Sequence, residues 1–382
     1  MYNAYIVKPA VPRTRRITEE MLWYDDTVKS GVITLNKTNT VTHYGTVKSL
    51  NFFESQRVRE SIRMVSRFVE RYAGLYEVDR HTLYKHFCIP KSSGGVRPID
   101  APQNELMEAL RDLKGILERY CGADKLYHTS AFAYIQHRST LDCVKRHQQN
   151  ESKWFAKFDM HNFFGSTTID FVMRMFEQIY PLSELAKNVI AHEVFRKAID
   201  LCFLDGGLPQ GTPISPLITN IMMIPFDFRM NIWCKEHHMV YTRYADDLLI
   251  SSKNPFRFKD VEEQIESVLA ELEAPFNLNR KKTRYGSANG SNWNLGVMLN
   301  KDNQITVGRK AKKRFEDLLR RYALDKKAGT DWALADVQHL DGLRSYYKMV
   351  EGETIDRIVQ FMSNKFQVDI RSAIKKDLRE LV

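Results

Sequence analysis

Three aspartates in this sequence have the side chains and surroundings of a metal-dependent active site. Asp246 and Asp247 stand between two β-prone runs, Val240–Tyr244 and Leu248–Ile250, which predicts a hairpin with two adjacent carboxylates at its turn. Burying carboxylates at the end of an apolar hairpin is costly unless a cation neutralises them. A solvated acidic turn is the competing interpretation of this stretch taken alone.

Asp159 supplies a third carboxylate, at the end of a β-prone run that begins at Trp154. If this strand lies beside the predicted hairpin, all three aspartates meet at one end of a sheet. Three hard oxygen donors on rigid strands suit Mg²⁺, which keeps waters and substrate phosphates as its other ligands. A pair of such ions, about 4 Å apart, supports in-line displacement at phosphorus, because one activates a 3′ hydroxyl and the other holds the leaving pyrophosphate.

Six blocks along the chain resemble, in order, the motifs of reverse transcriptases. The blocks are Ile89–Pro98, Phe158–Phe164, Leu208–Pro216, Tyr244–Asp247, Leu278–Thr283 and Asn294–Leu299. In that family they form the fingertip hairpin, the first metal strand, the template-and-nucleotide loop, the Tyr-Ala-Asp-Asp hairpin, the lysine motif and the primer grip. A single tetrapeptide is weak evidence, but six blocks in the family's order, covering about residues 85 to 300, are strong.

The resemblance implies an α+β fold of the right-hand polymerase type. It divides the chain into an N-terminal extension and helical region (1–84), fingers and a palm of antiparallel sheet plus helices (85–300), and a helical thumb (301–382). The implied reaction is addition of dNTPs to a 3′ hydroxyl, with an RNA template, a nucleic-acid primer and two Mg²⁺ ions, which Mn²⁺ could replace. Asp159, Asp246 and Asp247 are then both the catalytic residues and the metal ligands.

The resemblance also assigns five residues to the incoming nucleotide. Lys91 and Arg97 flank a glycine-tipped turn and would offset the triphosphate charge. Gln210, in a stiff Pro-Gly loop, would bond the sugar or a phosphate, and Lys282 would protonate or neutralise the leaving pyrophosphate. Phe164 would reject a 2′ hydroxyl, because a bulky ring offers it no hydrogen-bond acceptor. The structural alternatives are an exposed basic hairpin, a surface lysine and a core phenylalanine.

Composition narrows the classes of partner. Lys and Arg outnumber Asp and Glu by 57 to 47, a net charge of +10 that suits nucleic acid first and an anionic membrane second. No run of eighteen apolar residues predicts a membrane span, and Met1–Tyr5 lacks the features of a signal peptide. Five widely spaced cysteines without a Cys-x-x-Cys pair predict free thiols in the cytoplasm and no zinc ribbon.

Apolar periodicity predicts the helices that must position these residues. The predicted helices cover residues 53–72, 104–120, 169–180, 183–203, 217–232 with a kink at Pro225, and 260–273. Three more, from residue 309 onward, make up the thumb, and basic residues crowd the start of the first. Arginines line the polar face of the 53–72 helix, which is consistent with a solvated surface. Residues 1–50 are either a packed extension or a contact to a structured RNA.

Within the family, the chain is similar to stand-alone bacterial enzymes of retroelement or antiphage-defence systems, which implies a cognate non-coding RNA as a candidate partner. Two stretches depart from the retron pattern. Cys143–His147 keeps only the histidine of the retron Asn-Ala-x-x-His motif, and Asn294–Gly296 replaces Val-Thr-Gly. Three alternatives stay open: template-independent synthesis of the abortive-infection type, an RNA-binding scaffold, and an RNA-dependent RNA polymerase. Phe164 and Leu208–Pro216 argue against the last.

Overall fold

Helices make up most of the computed structural model, and a four-stranded sheet carries the predicted acidic hairpin. The structure describes residues 34–35, 41–42, 47–90, 94–121, 127–188, 191–287 and 296–380. Lys91 and the start of the predicted primer-grip block, Asn294, lie outside the described residues. The prediction of an α+β fold is confirmed.

The helices follow the predicted periodicity closely. They are α1 (Val47–Arg71), α2 (Asn104–Cys121), α3 (Thr140–Gln149), α4 (Phe163–Ser166), α5 (Ile169–Phe176), α6 (Leu182–Ala186), α7 (Ala191–Asp200), α8 (Ser215–Met222), α9 (Ile224–Glu236), α10 (Phe258–Glu271), α11 (Arg309–Lys327), α12 (Leu334–Phe366) and α13 (Ile370–Glu380). Two short 3₁₀ helices, Ala73–Tyr76 and Arg80–Leu83, follow α1. The predicted kink at Pro225 is confirmed, because α8 and α9 are separate helices and the proline lies in the first turn of α9.

The strands form short antiparallel pairs and one larger sheet. They are β1 (Thr34–Leu35), β2 (Val41–Thr42), β3 (Tyr84–Pro90), β4 (Val96–Pro102), β5 (Trp154–Asp159), β6 (Val240–Tyr244), β7 (Asp247–Ser252), β8 (Arg284–Ser287), β9 (Met298–Leu299) and β10 (Ile305–Thr306). The four-stranded sheet has the order β6-β7-β5-β8. In the fingertip hairpin β3–β4, Ile89 is paired with Arg97. Both predicted hairpins are therefore present.

Contacts divide the chain into two compact units. One contains residues 1–138, 158–248 and 257–283, and the other contains residues 139–157, 249–256 and 284–382. The first therefore holds all the candidate site residues. The boundaries predicted at residues 84/85 and 300/301 stay a prediction.

One helix prediction in the first unit was wrong. Residues 183–203 were expected to form a single helix, but the structure has α6 and α7 instead. The side-chain oxygen of Asn188 accepts a hydrogen bond from the backbone N–H of Ala191 at 3.0 Å, which caps the start of α7. Asparagine favours this capping conformation over a helix interior, so it starts a new helix here.

In the second unit, α11, α12 and α13 surround an apolar cluster that includes Phe315, Leu340, Val359 and Ile374. The thumb helices predicted on either side of residue 351 are one helix, α12, with a break at Glu351, whose backbone is not helical (φ −136°, ψ 58°). The last helix, α13, lies in the stretch predicted to be helical, but it was not predicted as a separate helix. Charged residues outnumber apolar ones in its sequence, so its apolar periodicity is too weak to mark it as a core helix.

Hydrogen bonds to the Glu351 side chain stabilise the break in α12. The Glu351 carboxylate accepts hydrogen bonds from the backbone N–H of Val307, the hydroxyl of Thr306 and the ammonium of Lys312, each at 2.9 Å. Since an anion with three donors is strongly held, the carboxylate stabilises the interruption of the helix.

All five cysteines of the chain lie in described residues and carry free thiols; Cys88 on β3 is exposed and the other four are buried. Among the described residues, no helix has both the length and the apolar character needed to cross a membrane.

His147 is fully buried at the end of α3. Its Nδ1 lies 2.6 Å from the hydroxyl oxygen of Ser251, and that hydroxyl donates to Ser152 at 2.7 Å. Because the Ser251 hydroxyl donates elsewhere, it accepts from His147, which fixes the Nδ1–H tautomer. Burial, with a smaller contribution from Arg146, lowers the pKa of His147 to about 3.

We expect this histidine to make the protein acid-sensitive. The folded-state pKa lies below the unfolded value of 6.5, so stability is complete above pH 6.5 and falls as pH decreases toward 3. The expected slope is up to about 1.4 kcal/mol per pH unit. His147→Asn keeps a hydrogen-bond donor for Ser251 but has no titrating ring. In this variant the melting temperature should therefore change less with pH between pH 6.5 and 4.5. The exposed His237→Asn is the matched control, and equal slopes in the wild type and His147→Asn would contradict the expectation.

Candidate active site

The end of β5 and the turn of the β6–β7 hairpin are adjacent. The backbone N–H of Met160 donates to the carbonyl of Asp246 at 3.1 Å, and the N–H of Asn279 donates to the carbonyl of Asp159 at 2.7 Å. The Asp159 residue is only 4% exposed. Two backbone hydrogen bonds thus bring together three segments that are far apart in sequence. The predicted meeting of Asp159 with the acidic hairpin turn is present in the structure.

The turn places its carboxylates in a partly desolvated position. Ala245 adopts a left-handed backbone (φ +56°), and Asp247 is the first residue of β7. Burial raises the pKa of Asp246 to about 6, with the Asp247 and Asp159 carboxylates raising it further and Lys282 opposing them. The shift shows that all four side chains share one electrostatic environment. The mutual repulsion of the three carboxylates favours a cation.

Lys282 reaches the acidic cluster from the loop after Asn279. Its ammonium donates to the Oδ2 atom of Asp159 at 2.9 Å, although 59% of the lysine side chain is exposed. The hydrogen bond to Asp159 raises the pKa of Lys282, and the Asp246 and Asp247 carboxylates raise it too, against some desolvation. The lysine therefore stays protonated at neutral pH and neutralises one carboxylate of the cluster.

The donor set suits a hard divalent ion that takes its remaining ligands from a substrate. In the described part of the chain, no group of three or more His, Cys, Asp and Glu side chains converges closely enough to hold a metal by itself. The three aspartates still provide hard oxygen donors with an excess of negative charge. Mg²⁺ commonly binds through one or two carboxylates together with substrate phosphates, so an incomplete protein shell fits that ion.

A fully buried ion pair supports the hairpin from beneath. The guanidinium of Arg243 on β6 donates to both oxygens of Asp227 on α9, at 2.8 and 2.7 Å, and both residues have no exposed surface. The remaining nitrogen, Nη1, donates to Asn220 and to the carbonyl of Ala245, each at 3.2 Å. The hydroxyl of Tyr241 donates to Asp227 at 2.7 Å. The pair therefore anchors the turn that carries Asp246.

The role of Arg243 was not predicted. The alternation of apolar and polar residues in β6 predicts Arg243 to be an exposed polar residue. It is nevertheless buried, because Asp227 compensates its charge. A second run of backbone extends this network. The N–H of Arg243 donates to the carbonyl of Ser130 at 2.7 Å, and its carbonyl accepts from Phe132 at 2.9 Å. The segment Ser130–Phe132 is thereby held along β6, with a parallel bridge at Ala131.

The two adjacent phenylalanines after β5 have different environments. Phe163 is a core residue, 3% exposed, whereas Phe164 is only half-buried. The carbonyl of Phe164 accepts from the N–H of Leu208 at 3.0 Å, which ties it to the template-and-nucleotide loop. A side chain on Gly207 would clash with the backbone of Gly165, because its Cβ would lie 2.3 Å from the Gly165 carbonyl oxygen. Close backbone contact thus holds Phe164 beside that loop.

Tyr134 is a site residue that sequence reasoning missed. Its ring lies edge-on to Phe164, with centroids 6.5 Å apart, yet 61% of the residue is exposed. Desolvation and the Asp246 carboxylate raise the pKa of Tyr134, while Arg97 lowers it. Its backbone is left-handed (φ +59°), which is uncommon for an aromatic residue and is typical of functional positions. In the sequence, Tyr134 lies in no predicted strand or helix, and no neighbouring motif marks it as a site residue.

The loop that contains Gln210 lies against the fingertip hairpin. The carbonyl of Gln210 accepts from the N–H of Asp100 on β4 at 2.8 Å. The next residue, Gly211, has φ +117°, and a Cβ there would lie 2.8 Å from Ile99. Arg97 is exposed on β4, and its charge acts on Tyr134. The structure thus places the loop of Gln210 beside the strand that carries Arg97, while the predicted Lys91 lies outside the described residues.

Comparison with known proteins identifies the family. A family model described as reverse transcriptase (RNA-dependent DNA polymerase) matches residues 89–308, more than half of the 382 residues. The chain belongs to the reverse transcriptase family. Members of this family are RNA-directed DNA polymerases, which are nucleotidyltransferases that use divalent metal ions and an RNA template.

The most similar relatives described here are bacterial. The chain is 29% identical over 284 residues to the retron Ec83 reverse transcriptase of Escherichia coli, covering 72% of this chain and 86% of that relative. It is 28% identical over 290 residues to the retron Mx65 reverse transcriptase of Myxococcus xanthus, covering 72% and 64%. The prediction of a bacterial, retron-like reverse transcriptase is confirmed, despite the departures at Cys143–His147 and Asn294–Gly296.

Among solved structures, apo telomerase from Candida tropicalis resembles this reverse transcriptase with a TM-score of 0.45 at 12% identity. The alignment covers 84% of this chain and 66% of that one.

Proposed function

We propose that this reverse transcriptase extends a primer 3′ hydroxyl with dNTPs at the acidic cluster of Asp159, Asp246 and Asp247. The observation that carries the proposal is the adjacency of the β5 end and the hairpin turn, together with the reach of Lys282 to Asp159. The 3′ oxygen would form a bond to the α-phosphorus of the nucleotide while the bond from that phosphorus to pyrophosphate breaks. The nucleotide would bring its own phosphate oxygens as the remaining ligands of the ions.

The three aspartates would hold two Mg²⁺ ions, with Mn²⁺ as a substitute. Bound ions would lower the pKa of the attacking hydroxyl and offset the charge of the leaving pyrophosphate. Asp246, with its pKa of about 6, is ionised at pH 7.5 and available as a ligand. Lys282 would donate a proton to the pyrophosphate or neutralise it, because its ammonium already lies at the cluster.

Four further residues would position the nucleotide. Phe164 and Tyr134 form two aromatic walls at a right angle (81°), against which the sugar would pack. Gln210 would bond the sugar or a phosphate, and Arg97, which acts electrostatically at Tyr134, would bind the triphosphate. Lys91, which precedes the glycine pair of this block in sequence, would add a second cation.

We expect Phe164→Ala to admit ribonucleotides. Removing the ring opens space for a 2′ hydroxyl, so the ratio of kcat/KM for dCTP to that for CTP should fall by about 10²-fold. Tyr134→Ala should lower the same ratio by a smaller factor, because its ring supports Phe164 from the side. Phe164→Tyr, which keeps the ring, is the control and should retain the preference for dCTP. An unchanged ratio in Phe164→Ala would contradict the proposal that Phe164 rejects the 2′ hydroxyl.

We propose that this activity belongs to a bacterial retroelement or antiphage-defence system, with a cognate non-coding RNA as the natural template; the similarity to retron reverse transcriptases supports this. Five free cysteine thiols are compatible with a reducing compartment, so we place the enzyme in the cytoplasm.

The test is extension of a DNA primer on an RNA template by the purified protein. dNTPs and rNTPs are supplied separately, with Mg²⁺, Mn²⁺ or a chelator. We expect full-length DNA whose sequence follows the template and which chelation abolishes. A homopolymer made without added template would show template-independent synthesis. Absence of product with every template and metal, including RNA co-purified from the host, would instead favour an RNA-binding scaffold.

A further inference from the structure

Four arginines form a row along α1. Arg59, Arg63, Arg67 and Arg71 follow one another at intervals of four residues, and all four are exposed. Residues four apart lie on the same helix face, so the row runs about 18 Å along the helix. Like charges at this spacing destabilise a helix by about 0.2–0.5 kcal/mol per pair. The row therefore has a cost, which a bound anion would remove.

Most of this charge has no ion-pair partner among the residues that the structure describes. Arg71 forms ion pairs with Glu108 at 2.6 Å and with Asp112 at 3.1 Å. Arg59, Arg63 and Arg67 form no ion pair with any described residue. Glu70 lies on the same face and is likewise not within ion-pair distance of the row.

A second helix completes a groove, which we call the arginine groove. Its walls carry Arg67 and Arg71 from α1 and Arg111 and Arg119 from α2, around a cavity of about 370 Å³. Arg111 has no ion-pair partner among the described residues. The Nε atom of Arg119 donates to the carbonyl of Gly115 at 3.2 Å, and no ion pair joins Arg119 to a described residue. The groove thus presents guanidinium groups from both sides.

Gly115 leaves the α2 wall of the groove open. It lies in the middle of α2 and lines the groove, where a glycine costs about 1 kcal/mol relative to alanine. A Cβ at this position would meet no atom within 4 Å, so packing within the protein does not require glycine. The backbone of Gly115 is also not in the left-handed conformation, which would favour glycine. The missing side chain leaves the groove open to a close approach from outside.

We propose that the arginine groove binds the phosphate backbone of a structured RNA, outside the polymerase site. A linear row of guanidinium groups suits a regularly charged strand, because each can bind a phosphate through two donors. A membrane surface fits poorly, since the apolar face of α1, with Val65 and Phe68, is buried in the core. The inference concerns binding alone and does not depend on the proposed catalytic roles.

The test is fluorescence anisotropy of the full chain with a labelled RNA stem-loop over a series of salt concentrations. In Arg63→Gln/Arg67→Gln/Arg111→Gln, which leaves the paired Arg71 intact, affinity at about 0.15 M salt should fall by about 10- to 100-fold. The slope of log affinity against log salt should become shallower by about 2–3, since each lost phosphate contact removes about 0.9. Activity on a short, pre-annealed primer–template should stay within about twofold.

Matched variants distinguish RNA binding in the arginine groove from a general effect of reduced positive charge. The charge control removes three exposed lysines of the same unit elsewhere: Lys187→Gln, Lys235→Gln and Lys259→Gln. It should lose less than about threefold affinity. Gly115→Leu fills the groove without changing charge; it should fold at least as stably as the wild type and still weaken RNA binding.

Two results with these variants would overturn the proposal. One is an equal loss of affinity in the lysine control and the arginine variant. The other is unchanged RNA binding in Gly115→Leu and in the arginine variant. A polyglutamate peptide that displaces the RNA at equal charge concentration would assign the groove to an acidic protein instead.

Discussion

Asp246→Asn is expected to reduce RNA-templated DNA synthesis by at least about 10³-fold, since loss of an ion ligand removes several kcal/mol of transition-state stabilisation. The substitution keeps the size of the side chain and one hydrogen-bond acceptor, so the turn should form normally. The measurement is primer extension under single-turnover conditions. Asp159→Asn should behave similarly, because its carboxylate belongs to the same cluster.

The same variant should be more stable than the wild type at pH 8. The folded-state pKa of Asp246, about 6, exceeds the ordinary value of 3.8, so the protonated carboxyl is preferred in the folded chain. That contribution to stability is complete below pH 3.8 and is lost as pH rises through 6. At pH 8 the ionised carboxylate therefore costs about 1–3 kcal/mol, which asparagine avoids. The melting temperature should rise at pH 8, and the gain should vanish near pH 4.

Thermal melting also tests the metal. Mg²⁺ should raise the melting temperature of the wild type by mass action and should raise that of Asp246→Asn much less. The control is Asp260→Asn, which makes the same chemical change at an exposed position paired only with Arg257. An active Asp246→Asn enzyme, or one that is less stable than the wild type at pH 8, would contradict the assigned role.

The second large effect is expected at the buried pair beneath the hairpin. Asp227→Asn leaves the Arg243 guanidinium without a countercharge at a position with no exposed surface. Removal of one partner of such a pair costs about 3–5 kcal/mol. Urea unfolding should show this loss. Glu271→Gln, which breaks the partly exposed ion pair with Arg229, should cost less than about 1 kcal/mol.

A double variant separates stability from turn geometry. Asp227→Leu/Arg243→Met replaces both charges by apolar side chains and should recover much of the lost stability. It cannot restore the hydrogen bond from Arg243 to the carbonyl of Ala245, so polymerase activity should remain low. Recovery of full activity along with stability would mean that the pair serves the fold alone.

The pattern of apolar and polar residues predicted the elements whose structure depends on residues close in sequence. The acidic hairpin follows from strand alternation on both sides of Asp246, and α2 follows from a 3.6-residue apolar repeat with its ends nearly correct. The meeting of Asp159 with the hairpin needed one further assumption, that two β-prone runs are neighbours. The resemblance to reverse transcriptases supported that assumption but did not supply it.

The missed features all depend on partners distant in sequence. Arg243 is buried only because Asp227 reaches it from α9, and nothing within β6 indicates this. The break at Glu351 depends on donors from the 306–312 segment. Tyr134 joins the site through a left-handed backbone that no local turn residue signals. Such contacts become visible only once the chain is folded.

The cysteine distribution makes this enzyme convenient for spectroscopy. Cys88 lies on the fingertip strand β3 and is exposed, while Cys121, Cys143, Cys202 and Cys234 are buried. Burial raises the pKa of the Cys202 and Cys234 thiols, which makes these two still less reactive. A maleimide dye should therefore attach to the native protein at a single position without mutagenesis. Its emission would report on the fingertip hairpin as nucleotide is added.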